Sequence, residues 1–224
     1  MRKALIVWGG WPGHEPEKGA TIVARMLEED GFAVDATPDL NALARPDLAS
    51  FSLIVPNVTW HTSAETPVSD AAIRNLVQAV RGGVGFGTFH GSAVAFPTAV
   101  DYHFMMGAQW VQHPGNQGVA YRVHVEKPFD PVMEGIADFD YRSEQYYLHV
   151  DPSIDVLATT LFTGEHDAAV TGVKMPVVYK RQFGQGRVFY SSLGHLPAEF
   201  ETFPQAKTIL RRGLNWAAHT EHTR

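Results

Sequence analysis

Chemistry in this chain rests on histidine. Four of its eleven histidines fall just past apolar runs that read as strands. His14 follows Lys3–Trp8 and Gly9-Gly10, and His61 follows Leu53–Val58 and Trp60. His90 follows Val84–Thr88, and His195 closes the segment Ser191–His195 after Val188-Phe189-Tyr190. An imidazole titrates near neutral pH, so it serves as general acid, general base or metal ligand. Ligands of open α/β sheets bind at the carboxyl ends of strands, and that placement selects these residues. Two further candidates are His113, in a His-Pro-Gly loop, and Glu144, inside the aromatic run Ser143–Tyr147. A carboxylate in apolar surroundings needs a partner, either an imidazole or a ligand hydroxyl. The alternative for Glu144 is an edge strand open to solvent.

His90 lies in the sharpest local pattern, Gly85-Phe86-Gly87-Thr88-Phe89-His90-Gly91. Glycines around a strand-to-helix turn permit a strained backbone and a close helix crossing. Such an elbow presents backbone N–H groups at a helix N-terminus, a site for an anion or oxyanion. Turn geometry alone would need the same glycines.

The spacing announces neither a metal nor a nucleotide. HExxH and H-x-H are absent, and the closest histidine pair is His219 with His222. No cofactor is expected, with a zinc-like divalent ion on His14, His90 and His195 as the alternative. Gly9-Gly10-Trp11-Pro12-Gly13 departs from GxGxxG, and Trp11 and Pro12 would obstruct a pyrophosphate. There is no cysteine, so thiolate nucleophiles, thiolate metal sites and disulfides are excluded.

The elements that must position these residues alternate in the first half. Helical spacing puts Ile22, Val23, Met26 and Leu27 on one face, and Gly31 ends that segment. Phe32–Ala36, Leu53–Val58 and Val84–Thr88 read as strands; Ser69 and Asp70 start a helix carrying Ile73, Leu76, Val77 and Val80. After the Phe89–Ser92 turn another helix is expected. Short loops between alternating strands and helices predict a parallel sheet covered on both faces. From Val119 the pattern changes to strands over Val119–Glu126, Asp140–Leu148, Val156–Leu161, Val177–Arg181 and Arg187–Ser191. Gly184-Gln185-Gly186 makes a hairpin turn, and an amphipathic helix runs through Ile209, Leu210 and Leu214.

Of 224 residues 45% are hydrophobic and 19% charged, which excludes a disordered chain and a coiled coil. No linker or repeat divides it, so one domain over 1–224 is expected. The net charge of −6 without a basic block argues against nucleic acid and anionic membrane as partners. No run of 18 apolar residues spans a membrane, and Met-Arg-Lys before a strand is no signal peptide, so the expected location is the cytoplasm. The aromatic segment Phe139–Tyr147 offers either a homo-oligomer surface or a pocket wall.

Six ordered stretches carry a family likeness: Trp8-Gly9-Gly10 with His14, Gly82–Gly91, Gly107–Gly115, Pro131–Ile136, Ser143–Tyr147 and Pro176–His195. The chain resembles the ThuA-like (trehalose utilisation) family, on the class I glutamine amidotransferase-like fold. The resemblance implies an α/β fold of three layers, with an open, mostly parallel, flavodoxin-like sheet and an elbow turn. In amidotransferases that elbow carries a cysteine; here Phe89 or His90 occupies it. Gly194-His195-Leu196-Pro197 matches the later histidine motif only in part. Glutamine hydrolysis through a thioester is excluded by residue type.

The family likeness also implies a carbohydrate ligand and a sugar oxidoreductase as partner in the same pathway. The expected protein is an enzyme acting on a sugar or 3-keto sugar, a lyase, isomerase or hydrolase. His90 and His195 exchange protons in this expectation, and Glu144 orients one of them or binds a hydroxyl. His14, His61 and His113 bind substrate, and Trp8, Trp60 and Tyr146 give faces for a pyranose ring. The alternatives are a non-catalytic sugar-binding or regulatory module and a metal-dependent hydrolase.

Overall fold

The structure, a computed structural model, describes residues 1–60 and 68–218. Its strands are β1 (Lys3–Gly10), β2 (Ala33–Thr37), β3 (Leu53–Thr59), β4 (Gly85–Phe89), β5 (Ala108–Gln112), β6 (Val119–Val125), β7 (Phe139–Ser143), β8 (Tyr147–Val150), β9 (Asp155–Leu161), β10 (Lys174–Phe183) and β11 (Gly186–Ser191). The α-helices are α1 (Pro16–Glu29), α2 (Asp70–Arg81), α3 (Val100–Met106), α4 (Glu199–Thr202) and α5 (Pro204–Ala217).

Nine strands form one sheet in the order β2-β1-β3-β4-β11-β10-β9-β6-β7, and β5 pairs with β8 in a second. Neighbours from β2 to β11 run parallel; those from β11 to β7 are antiparallel. The sheet is therefore mixed, with the parallel half in the α/β part. Strand alternation sends Ala4 and Ile6 to the α1 and α5 face, against Val23, Leu27, Ile209 and Leu214. Leu5 and Val7 face α2 and α3, against Leu76, Val80, Tyr102 and Met106. Two cores on opposite faces make the three layers. Among the described residues no helix is long and apolar enough to cross a membrane.

Two local departures from the sequence pattern bear on the site. The stretch expected as one strand over Asp140–Leu148 breaks at Glu144-Gln145-Tyr146. There the chain leaves β7 in the large sheet for β8 in the small one. Gln145 is buried and donates to Thr160 Oγ1 at 2.9 Å and to the Leu161 carbonyl at 3.3 Å, which ties the break to β9. Secondly, no α-helix follows Phe89 directly. His90 is left-handed (φ 43°), His90–Val94 is a 3-10 turn, and α3 begins only at Val100. That short turn is not the helix N-terminus that the glycine pattern suggests.

Candidate active site at the strand ends

The carboxyl ends of β3 and β4 part, and the site is built around that opening. Their ladder holds only at Leu53–Gly85 and Ile54–Phe86, before Pro56, which has no N–H to donate. Thr88 Oγ1 and Ser92 Oγ instead donate to the Pro56 carbonyl at 2.5 and 2.8 Å. Gly91 lies against β3 so closely that a Cβ there would meet Thr59 Oγ1 at 2.0 Å. Only glycine allows that approach.

Four side chains from four segments converge at this point. His14 ends the 3-10 turn after β1, His90 follows β4, Glu144 sits in the β7–β8 break, and His195 follows β11. His90 Nε2 lies 3.2 Å from Glu144 Oε2 and 3.2 Å from His195 Nδ1, and His195 Nδ1 lies 3.3 Å from Glu144 Oε2. The His14 ring centroid is 4.8 Å from that of His90 and 4.7 Å from that of His195. His90, His195 and Glu144 are buried, at 2%, 3% and 6% exposure.

Each group is held from behind. His90 Nδ1 lies 2.9 Å from the Ser192 carbonyl, which only accepts, so Nδ1 carries a proton and Nε2 points into the cluster. The Tyr146 hydroxyl lies 2.9 Å from that Nε2, and its ring packs on His90 with centroids 4.4 Å apart. His14 Nδ1 pairs with Thr59 Oγ1 at 2.8 Å. Glu199 binds the His195 loop to β7: its carboxylate accepts from Tyr141 Oη at 2.6 Å, Ser143 Oγ at 2.9 and 3.0 Å, and the His195 N–H at 3.1 Å.

Charge follows from these contacts. Burial, together with the fields of His90 and His195, lowers the His14 pKa to about 2, so it stays neutral. Burial works to raise the Glu144 pKa, but hydrogen bonds from His195 and His90 outweigh it and hold the carboxyl well below its ordinary range. Burial, then the Glu144 charge, raises the Tyr146 hydroxyl well above its ordinary value, so it remains a donor. Among the described residues this is the group of three or more possible metal ligands: His14, His90, Glu144 and His195, with donor atoms all within 4.8 Å.

A pocket of about 520 Å³ opens onto this cluster, with His14, Glu144 and Tyr146 in its wall and Trp11, Trp60 and Trp110 around it. Trp60 and Trp110 meet edge to face at 5.6 Å. His113 joins the wall, its Nε2 4.0 Å from Glu144 Oε1. Of the residues expected at a site, His14, His90, His113, Glu144, Tyr146, Trp60 and His195 are thus brought together. Trp8 is not: it shares the parity of Ala4 and Ile6 and packs on the α1 face, away from the pocket. His61 lies outside the described residues. Tyr146 is 4% exposed and serves His90 more than an open stacking face. Within Phe139–Tyr147, Phe139 and Tyr141 are buried, Asp140 and Arg142 are exposed, and Glu144 and Tyr146 line the pocket. Sequence reading missed Thr59, Trp110, Ser192 and Glu199. Trp110 lay within the quoted stretch Gly107–Gly115, three residues before His113, and was legible there.

The sequence pattern of the ThuA family, described as trehalose utilisation, matches residues 3–217. The chain belongs to the ThuA family. That membership sets it in carbohydrate metabolism. Among solved structures, a ThuA-like protein from Parabacteroides merdae is 20% identical with TM-score 0.76, covering 100% of this chain and 92% of that one. A cytoplasmic protein from Salmonella typhimurium is 15% identical with TM-score 0.62, covering 98% and 100%. A glutamine amidotransferase from Thermotoga maritima is 12% identical with TM-score 0.56, covering 96% and 90%. These likenesses show the shared ThuA and amidotransferase-like fold. Among curated proteins none matches the chain.

Proposed function

We propose that this ThuA protein is an enzyme that takes a sugar or 3-keto sugar into the aromatic pocket and moves a proton beside its carbonyl. One observation carries the reading. His90 Nε2 and the ionised Glu144 Oε2 stand 3.2 Å apart with His195 Nδ1 within 3.3 Å of both. Buried atoms of this kind at that distance need a proton or a cation among them. A positive charge at the inner end of a sugar-sized pocket has a use: it stabilises an oxyanion.

In a 3-keto sugar the C–H beside the carbonyl is acidic. A base takes that proton, the C–H electron pair moves to the carbonyl oxygen, and an enolate forms facing the charged cluster. Return of a proton isomerises the sugar. Departure of the oxygen at the next carbon, with its bonding pair and a proton, gives elimination. His113, the imidazole on the pocket wall, is the base in this reading. His90, His195 and Glu144 hold the charge that meets the enolate. His113 Nδ1 and Trp110 Nε1 are buried without a partner among the described residues, and both residues line the pocket. Unpaired buried polar atoms are costly, and ligand hydroxyls would satisfy them. The Salmonella neighbour's description supports a cytoplasmic location for this chain as well.

The test is a panel of glycosides and their 3-keto forms incubated with purified protein and followed by NMR. Turnover of a 3-keto form that is lost in His113→Ala and His90→Ala supports the reading. Sugar binding without turnover by any member would instead assign a non-catalytic binding module.

A further inference from the structure

We infer that the positive charge held by His90, Glu144 and His195 is a divalent transition-metal ion of the zinc class, with His14 as a fourth ligand. This deepens the proposed function and rests on its location of the reacting end, although binding of the ion is measurable without any substrate.

The dimensions carry the argument. Zinc binds imidazole nitrogen and carboxylate oxygen at about 2.0–2.1 Å in a tetrahedron, whose edges are then about 3.3–3.4 Å. The triangle His90 Nε2, His195 Nδ1, Glu144 Oε2 has sides of 3.2, 3.2 and 3.3 Å. Three side chains from separate segments meet at the spacing of three tetrahedral ligands. The donor atom of His14 lies within 4.8 Å of all three. Its Nδ1 pairs with Thr59 Oγ1 at 2.8 Å, which leaves Nε2 to ligate.

The surroundings fit as well. Ligating histidines typically give their other ring N–H to a carbonyl or hydroxyl, which fixes the ring and the tautomer. His90 does so to the Ser192 carbonyl at 2.9 Å. Glu199 ties the His195 N–H and Ser143, the residue before Glu144, to one carboxylate. A mixed nitrogen and oxygen set without thiolate selects zinc, cobalt, nickel or ferrous iron over the harder magnesium and calcium. His14 and Glu144 also line the pocket, so the ion would face it. When bound, such an ion acts as a Lewis acid on a substrate oxygen. The separation of the four ligands in the sequence explains why no ligand spacing is visible there.

The experiment uses the full chain, treated with chelator, dialysed and titrated with Zn²⁺ by calorimetry. One ion per chain is expected. Outer-shell changes already cost about 10–100-fold in metal affinity, so Glu144→Gln and His195→Ala are expected to weaken binding by at least about 100-fold. Mg²⁺ is expected to compete poorly. A His219→Ala/His222→Ala variant keeps the affinity if the site is the one proposed. Loss of binding in that variant, or wild-type affinity in a folded His195→Ala, overturns the inference. Should the ligand variants not fold, X-ray absorption of the wild-type protein loaded with one Zn²⁺ decides. Scattering from at least three imidazoles supports the site, and one or none overturns it. Tight binding without turnover of any sugar keeps the ion and removes the enzymatic reading. Turnover by chelator-treated protein that takes up no Zn²⁺ does the reverse.

Discussion

Glu199→Gln tests the framework behind the histidines. In the native protein the Glu199 carboxylate accepts four contacts: from Tyr141 Oη, from Ser143 Oγ with both oxygens, and from the His195 N–H. Glutamine keeps the volume but removes the charge and one acceptor. The hydroxyls of Tyr141 and Ser143 can turn to accept from the new amide; the His195 N–H cannot. A hydrogen bond to a charged group contributes about 1.5–3 kcal/mol and a neutral one about 0.5–1.5, so three weakened donors cost about 3 kcal/mol. Glu199 is half-buried, and water reaching it halves that figure to about 1.5 kcal/mol. For a chain of this size about 1 kcal/mol shifts Tm by about 2–4 °C, so a fall of about 3–6 °C is expected in calorimetric melting. The His195 loop also loosens, so kcat on a 3-keto sugar is expected to drop more than KM rises. A Tm within about 1 °C of wild type would refute the role of Glu199 as the tie between β7 and His195.

Two further changes probe the strand ends. Gly91→Ala drives a Cβ to 2.0 Å from Thr59 Oγ1 and 2.7 Å from its Cγ2, an overpacking expected to cost about 1–3 kcal/mol; unchanged denaturant midpoints would mean that β3 and the turn are not in close approach. His14 is neutral in the folded state, its pKa lowered from 6.5 to about 2, so the unfolded chain binds the extra proton between those values. Stability is therefore lost as pH falls below 6.5, by up to about 1.4 kcal/mol per pH unit. Urea titrations of chelator-treated protein between pH 7 and 4 are expected to fall more steeply for wild type than for His14→Gln; parallel curves would contradict the burial of a neutral His14.

Legibility in the sequence followed the range of the interactions. The parallel strands β1, β3 and β4 and the helices α1, α2 and α5 could be read because apolar spacing and local signals set them. The Ser69 hydroxyl, for one, accepts from the Ala72 N–H at 3.1 Å to start α2. His90 and His195 could be read from their positions past strand ends. Glu144 was visible as a misplaced charge, but the break that carries it was not, because the aromatic residues on both sides of it read as one strand. What ends β7 there is tertiary: Glu144 turns to two histidines, and Gln145 to Thr160. Trp8 went the other way, since a one-residue parity decides which face of β1 it occupies. Glu199 gave no signal: its partners Tyr141 and Ser143 lie more than fifty residues away.

The most direct test of the central claim, that this cluster and pocket move a proton beside a sugar carbonyl, is deuterium exchange. A 3-keto glycoside is incubated with the protein in D₂O, and loss of the NMR signal of the C–H next to the carbonyl is timed. This needs no knowledge of the final product, because removal of the proton alone exchanges it. Wild-type protein is expected to accelerate the exchange, and His113→Ala and His90→Ala to reduce the acceleration by about 10²–10⁴-fold while remaining folded. Exchange at the buffer rate with wild type, or undiminished exchange in both folded variants, would contradict the account.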